Sequence, residues 1–277
     1  MKNILLFLLI LIIQSISFSQ DTDLYSPANR RMFANYLYCQ KDYLRAAEEY
    51  KYLFNSSDDD TLRYKVGLAY IKIAGYDSAS ANFLQIKNNS PYYNSSRLEY
   101  YKAQFLLNNY DVLEGGSTEF IPVQKLNEFT FLLGNKTLPA DKEKFLNPFE
   151  GAERKIVSEF YDRKLNPGYK SELAAVIFSI LVPGTGKIYT NNYGDGVISF
   201  LVTSILSYIA YTDFKADHIF RGWLFTGLAA FFRAGDIYGS IASTQIYNAR
   251  INFSLNSDMK IFLENKNYFV PDDDFCK

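Results

Sequence analysis

Few residues of this chain have types and spacing that could perform chemistry, and the most suggestive run is PGTGK, residues 183–187. A nucleotide-phosphate loop of the Walker type needs a glycine five residues before its Gly-Lys pair and a Ser or Thr directly after it. Leu181 occupies the first of these positions and Ile188 the second. The run therefore predicts a sharp helix break and no nucleotide site, because its proline lacks a backbone donor and its glycines permit unusual dihedral angles.

Three charged residues, Arg221, Arg233 and Asp236, lie in the otherwise apolar stretch Ile219–Ala242. Charges inside a membrane helix are costly and indicate a functional site by default. Arg233 and Asp236 are three residues apart, so they share one helix face and can form an ion pair. We interpret this pair as structural, fixing the helix to Asp195 or to a partner. A transport or relay role is the alternative.

The remaining inventory argues against an enzyme. His218 is the single histidine, and no His/Cys cluster has metal-ligand spacing. We expect no catalytic residue, cofactor or metal. The net charge of −1 gives no electrostatic reason for nucleic-acid binding. Cys39 and Cys276 are the two cysteines and lie in different predicted regions, so we expect no disulfide scaffold.

The charged stretch belongs to a group of three apolar segments. Leu173–Val182 is too short to cross a membrane and leads into the PGTGK run, whereas Val197–Tyr211 is nearly free of charge. Ile219–Ala242 is long enough to cross a hydrocarbon core that needs about 20 residues. We expect a re-entrant half-span over Leu173–Tyr189 followed by a helical hairpin, which returns the chain to the side of the repeats. Three full crossings are the alternative.

Two glycines of the third segment, Gly235 and Gly239, form a G-x-x-x-G pattern that permits close contact between helices. Asp195 precedes the second segment, where a residue of the stretch 191–195 can cap the helix and the carboxylate lies near the positive end of its dipole.

The first 19 residues have the pattern of a secretory signal. Lys2 precedes an apolar run from Ile4 to Ile13, and small residues at Ser17 and Ser19 suit a cleavage site. We predict cleavage after Ser19, with an uncleaved anchor helix as the alternative. The mature chain then begins outside the cytoplasm.

An internal repeat occupies the region between the signal and the apolar segments. Asp42–Phe54 aligns on Gly75–Ile86 at an offset of 33 residues, which superposes Tyr43 on Tyr76, Ala46 on Ala79, Tyr50 on Phe83 and Leu53 on Ile86. A third copy can be traced through Tyr101 and Tyr110 to Leu113. The alanines predict close approach of two helices, and the aromatic residues predict packing between them. An ordinary helical bundle with aromatic stripes is the alternative.

This pattern resembles the tetratricopeptide repeat (TPR). Five positions of the second copy match that family: Gly67, Tyr70, Ala79, Phe83 and Pro91. The first copy has Ala34, Ala46 and Tyr50 and no closing proline. The resemblance implies stacked helix pairs whose surface binds a protein partner.

The apolar segments resemble a membrane module of bacterial envelope proteins, with the pattern P-G-x-G-x-x-Y and later G-N-I-Y and Tyr-Asn elements. The matching residues are Pro183, Gly184, Gly186, Tyr189, Tyr193, Asp195, Gly235, Tyr238, Tyr247 and Asn248. Asp236 stands where the module more often has Asn. The resemblance implies a membrane-associated envelope protein and no particular reaction.

Taken together, these patterns predict an all-α chain: an N-terminal TPR-like α-solenoid followed by an α-helical membrane hairpin with a preceding short re-entrant segment. The predicted parts are a signal peptide (1–19), a repeat domain (20–168), a membrane module (169–243) and a polar C-terminal tail (244–277). The expected function is a membrane-tethered adaptor of the bacterial envelope, with its repeats on the periplasmic side. The alternative is a component of a transport, pore or protein-insertion assembly. Expected partners are a protein, the lipid bilayer and, through the membrane helices, further copies of the chain.

Overall fold

A computed structural model describes residue 23 and residues 25–116, 120–134, 136–271 and 275–276. The predicted signal peptide and the acidic run 272–274 lie outside the described residues. The described part contains helices and no strand, which confirms the all-helical prediction. The helices are, in chain order, α1 (Pro27–Cys39), α2 (Tyr43–Ser57), α3 (Asp60–Lys72), α4 (Tyr76–Leu84), α5 (Tyr93–Leu106), α6 (Asp111–Gly116), α7 (Ile121–Leu133), α8 (Lys142–Phe145), α9 (Gly151–Leu165), α10 (Glu172–Leu181), α11 (Thr185–Tyr189), α12 (Tyr193–Lys215) and α13 (Ile219–Asn265).

The chain divides into two compact units. The first contains residues up to Asn127 together with Tyr268–Lys277, and the second contains Glu128–Asn267. The predicted boundary between residues 168 and 169 lies inside the second unit.

The predicted polar tail after residue 243 is wrong for most of its length. Helix α13 runs on to Asn265. This extension is helical because four apolar side chains at helical spacing are buried: Leu255, Met259, Phe262 and Leu263. Charged and amide residues lie between them in the sequence, so the helical period of the apolar residues was not recognised.

In the first unit, each helix from α1 to α5 packs against the next one in the chain. The turn that joins the two helices of a pair has the same geometry in all three pairs. Lys41, Ala74 and Asn108 have positive φ values of 65°, 57° and 61°. The residue after each of them donates its N–H to the carbonyl five residues earlier, a geometry that ends helices by satisfying their last carbonyls. The helix pair therefore recurs at the interval that the sequence repeat predicts.

The residues of the repeat pattern pack the core of this unit. Ala46, Tyr50, Ala79 and Phe83 are fully buried. A Cβ on Gly67 would lie 2.4 Å from the Phe83 ring, so this glycine lets α3 approach α4 closely. Tyr70 is half-buried and Pro91 lies exposed in the turn before α5. A stacked solenoid of the TPR type stays a prediction.

The expectation about the cysteines is wrong. Cys39 and Cys276 form a disulfide, with their Cα atoms 5.4 Å apart and a sequence separation of 237. Spacing along the chain carries no information about such a contact, because the C-terminal segment returns to the first unit.

The second unit contains one helix, α12, that is long and apolar enough to cross a membrane among the described residues. Its 23 residues give a length of about 34 Å at ~1.5 Å per residue, which matches a ~30 Å hydrocarbon core. Helix α13 packs along α12 and also contacts α10 and α11.

Helices α10 to α12 and the first half of α13 place large apolar side chains outside and polar ones inside, whereas the rest of the second unit buries apolar side chains such as Phe129, Phe160 and Phe262. Large apolar side chains of α10, α12 and α13 are exposed, among them Leu173, Ile180, Leu181, Ile198, Leu201, Ile205, Phe220, Trp223 and Phe231. The buried side chains of the same helices include Ser179, Thr203, Asp236, Ser240, Ser243 and Thr244. Water-soluble domains bury their large apolar residues, so this distribution is the reverse of theirs. Small and polar residues inside are typical of helix contacts in membranes.

Candidate functional site

The PGTGK run interrupts the helix between α10 and α11. It brings the Gly184 N–H and the Lys187 ammonium to the buried carboxylate of Asp236. Gly184 has a φ of 81°, a conformation that a residue with a side chain rarely adopts. Its N–H donates to Asp236 Oδ2 at 2.8 Å. Lys187 Nζ lies 3.3 Å from Asp236 Oδ1, and the two side chains are 13% and 1% exposed. Lys187 also donates to Ser199 Oγ at 2.7 Å.

The predicted ion pair between Arg233 and Asp236 does not form. Arg233 donates to the carbonyl oxygen of Ile180, in the last turn of α10, where carbonyls lack helical partners. Asp236 turns inward to Lys187. Arg221, the remaining charged residue of the apolar stretch, lies 3.4 Å from Asp213 at the C-terminal end of α12. The i,i+3 rule failed because the nearest buried partners come from other helices.

Asp195 also differs from its predicted role as a possible partner of α13. It lies in the first turn of α12, and its carboxylate accepts a hydrogen bond from Asn192 Nδ2 at 2.8 Å. Asn192 is the N-cap residue and makes no side-chain cap bond. The carboxylate therefore lies at the positive end of the helix dipole, as expected, and stands apart from the buried pair.

The glycines of the PGTGK run are required by close backbone contacts. A Cβ on Gly184 would lie 1.9 Å from the carbonyl oxygen of Gly196. One on Gly186 would lie 2.2 Å from the carbonyl oxygen of Ala175. Any side chain at these positions would separate α10, α11 and α12.

Of the two glycines in the G-x-x-x-G pattern, Gly239 lies close to another helix of the described chain and Gly235 does not. A Cβ on Gly235 would meet nothing within 4 Å, and one on Gly239 would lie 2.8 Å from Cε of Lys187. Gly239 therefore makes room for the lysine of the buried pair, while Gly235 lies on an open surface.

Hydroxyl groups connect the short helices to α13. Ser179 and Ser240 lie 2.6 Å apart through their Oγ atoms, and Thr190 Oγ1 lies 2.6 Å from Ser243 Oγ. In an environment without water, such bonds satisfy polar groups and hold helices together.

A second polar cluster joins the two halves of the module pattern around Lys170. Its ammonium lies 5.0 Å from the ring centroid of Tyr189 and 4.4 Å from that of Tyr247, within the range of cation–π attraction. Asn248 accepts a bond from the Lys170 N–H at 2.9 Å and donates one to its carbonyl at 3.0 Å. The closing Tyr-Asn element therefore fixes the entry to α10. Sequence reasoning missed Lys170, which lies outside the recognised pattern.

Tyr193 and Tyr238 also stand apart from both clusters and lie exposed on α12 and α13. His218 is exposed at the start of α13 and makes no cap bond.

Each cluster borders an open cavity. The larger, about 630 Å³, is lined by polar and cationic side chains that include Asn191, Ser243, Tyr247 and Arg250. The smaller, about 330 Å³, is lined by Lys187, Ser199, Phe231, Gly235 and Asp236. No group of three His, Cys, Asp or Glu side chains among the described residues could hold a metal ion.

No protein-family model, curated protein or solved structure matches this chain.

Proposed function

We propose that this protein is a membrane-tethered adaptor of the bacterial cell envelope, with helices α10 to α12 and the first half of α13 in the bilayer and its first unit binding a protein partner. The observation that carries the proposal is the reversed side-chain distribution of these helices of the second unit. Its exposed apolar side chains cover α10, α12 and the first half of α13, whereas the charged pair Lys187–Asp236 lies inside.

Aromatic residues support this placement. Tyr208, Tyr211 and Trp223 lie near the junction of α12 and α13, and Tyr189 and Tyr193 lie at the opposite end of α12. Tyr and Trp concentrate at the two interfaces of a membrane, where an apolar ring and a polar group are both satisfied. The length of α12 separates these two groups by about the thickness of a bilayer core.

The first unit supplies the binding surface. Its helix pairs recur at the predicted interval, and the first two pairs share one buried core. Helical repeats of this kind present extended surfaces that commonly bind peptides or proteins, and we assign such a role to this unit as part of the proposal.

Fractionation of the full-length chain tests the membrane placement. The wild-type protein should stay in the membrane pellet after a carbonate wash. Leu201 and Ile205 lie exposed near the middle of α12, and an Asp at the centre of a membrane helix costs about 2.5–3.5 kcal/mol. The double variant Leu201→Asp/Ile205→Asp should therefore be depleted from the pellet.

The matched control is Leu44→Asp/Tyr52→Asp, which changes two exposed apolar residues of the first unit. This variant should fractionate like the wild type. A wild-type chain recovered in the soluble fraction, or equal behaviour of the two double variants, would contradict the proposal.

The alternative function, a part of a transport, pore or insertion assembly, has one observation in its favour. The buried Lys187–Asp236 pair borders an open cavity, and charges within a membrane often mark transport pathways. Joint replacement by Lys187→Met and Asp236→Leu distinguishes the two functions. An adaptor keeps its partner in a crosslinking pulldown from membranes, whereas a transport component loses its activity.

A further inference from the structure

The C-terminal segment of the chain lies on the first unit and contacts the first helix of each of the three helix pairs. Phe269 stacks on Phe105 of α5, with ring centroids 5.6 Å apart and an interplanar angle of 28°. Beside it, the buried Lys102 donates to the carbonyl oxygen of Val270 at 3.5 Å. These contacts fix the start of the segment.

Phe275 fixes its other end. Its ring lies edge-on to three tyrosines, with centroid distances of 6.5 Å to Tyr38 of α1, 6.3 Å to Tyr64 of α3 and 6.5 Å to Tyr92. The ammonium of Lys65 lies 4.5 Å from the centroid of the same ring. Aromatic pairs of this geometry stabilise a contact beyond what the burial of apolar area contributes. We call the Phe275 site, formed by Tyr38, Tyr64, Lys65 and Tyr92, the aromatic cleft.

The disulfide closes this arrangement. Cys276 directly follows the ring that fills the cleft, and its partner Cys39 follows Tyr38. Cys276 is exposed whereas Cys39 is partly buried. The segment is thus held by two aromatic anchors, by a backbone hydrogen bond and by a covalent bond at its end, as a tethered peptide would be.

We propose that the aromatic cleft is a peptide-binding site, that the chain's own C-terminal segment occupies it, and that reduction of Cys39–Cys276 opens it to a partner segment of the same chemistry. That chemistry is a peptide with a phenylalanine preceded by acidic residues, since Asp272, Asp273 and Asp274 precede Phe275 in the sequence. The inference rests on the adaptor function proposed above and names the partner's binding determinant.

The opening step is a thiol–disulfide exchange with a dithiol reductant. A thiolate of the reductant attacks the exposed sulfur of Cys276, and the Cys39 thiolate leaves and takes up a proton. The second thiol of the reductant then displaces Cys276 from the mixed disulfide. Two electrons reduce the protein to two thiols, and the reductant becomes a disulfide. Without the covalent bond the segment competes with other peptides at an effective concentration in about the mM range.

Fluorescence anisotropy on the full chain in detergent tests this inference. The probe is a labelled peptide of residues 269–277 that carries Cys276→Ser. The oxidised wild-type chain should not bind it. The reduced wild type and Cys276→Ser should bind it weakly, and Phe275→Ala/Cys276→Ser, which empties the cleft, should bind it at least tenfold more tightly than Cys276→Ser.

Two controls complete the design. Phe253→Ala/Cys276→Ser removes an exposed ring of the second unit and should match Cys276→Ser. A probe with Phe275→Ala should bind no form. Circular dichroism verifies that each variant is folded.

Equal affinity in oxidised and reduced forms, no binding by the emptied form, or equal binding of the two probes would overturn the inference. The assay needs no bilayer, so its failure is distinct from failure in the fractionation experiment.

Discussion

The buried pair Lys187–Asp236 should dominate the stability of the second unit when one partner is removed. The two charged atoms lie 3.3 Å apart with side chains 13% and 1% exposed. Asp236→Leu leaves the lysine without its counter-charge and Gly184 N–H without its acceptor. Breaking a buried pair in this way costs about 3–5 kcal/mol.

Removal of both charges should cost less. Lys187→Met/Asp236→Leu loses the Gly184 N–H acceptor, which costs about 1–3 kcal/mol, and leaves no buried charge. The double variant is therefore expected to be about 2 kcal/mol more stable than Asp236→Leu alone, and the coupling free energy between the two positions at least about 2 kcal/mol, since Lys187→Met adds a cost of its own. The reason is that the energetic penalty lies in the charge left alone more than in the attraction lost.

Unfolding in detergent micelles, followed by circular dichroism, measures this coupling in a double-mutant cycle. The control cycle uses Arg163 and Asp258, a pair 2.8 Å apart whose side chains are 43% and 44% exposed. Its coupling should not exceed about 1 kcal/mol, because water screens exposed pairs. If Lys187→Met/Asp236→Leu is as unstable as Asp236→Leu alone, the buried-pair reasoning is refuted.

Further predictions concern other parts of the chain. The fluorescence of Trp223, the single tryptophan, should be quenched best by lipids that are brominated near the headgroup. The variant Trp223→Phe/Phe231→Trp moves the tryptophan about 12 Å along α13, so its fluorescence should be quenched best by deeply brominated lipids; equal quenching patterns would count against the bilayer placement. Gly67→Ala should lower the free energy of unfolding by about 1–2 kcal/mol, since its Cβ would lie 2.4 Å from a buried ring. Gly235→Ala, with nothing within 4 Å, should raise it by about 0.5–1 kcal/mol, and denaturant titration measures both. Burial raises the pKa of Glu128 to about 7 from 4.5, so the folded state holds the proton more tightly than the unfolded state. The free energy of unfolding should therefore fall by about 1–3 kcal/mol as pH rises from 4.5 to 7. If Glu128→Gln does not reduce this pH dependence of the unfolding free energy, the prediction is wrong.

The sequence was sufficient to predict features that depend on repeats and on turn residues close together in the chain. Tyr43 and Tyr76, aligned at an offset of 33 residues, are the first residues of α2 and α4. The break after Leu181 follows from the backbone limits of proline and glycine. Helix α7 was not predicted, because Ile121–Leu133 lies between the recognised repeats and the apolar segments and matches neither pattern.

Features that depend on contacts between distant segments could not be predicted. Asp236 meets Lys187 from 49 positions away, since 236 − 187 = 49. Its i,i+3 neighbour Arg233 offered a plausible local partner, but the buried Lys187 of α11 is the residue that pairs with it. Lys170 and Asn248 likewise meet only because the middle of α13 lies beside the segment that leads into α10. Such partners are set by how the helices pack, and a single sequence does not show which residues of two helices face each other.

The disulfide also constrains how the chain can thread a membrane. Cys39 and Cys276 share one covalent bond, so both sulfurs must lie in the same compartment, one that permits disulfide formation. A closed covalent ring that leaves this compartment must return to it, and a membrane-embedded second unit therefore crosses the bilayer an even number of times. Three full crossings violate this parity rule. Two crossings, by α12 and the first half of α13, satisfy it when α10 and α11 enter and leave the bilayer from the same side.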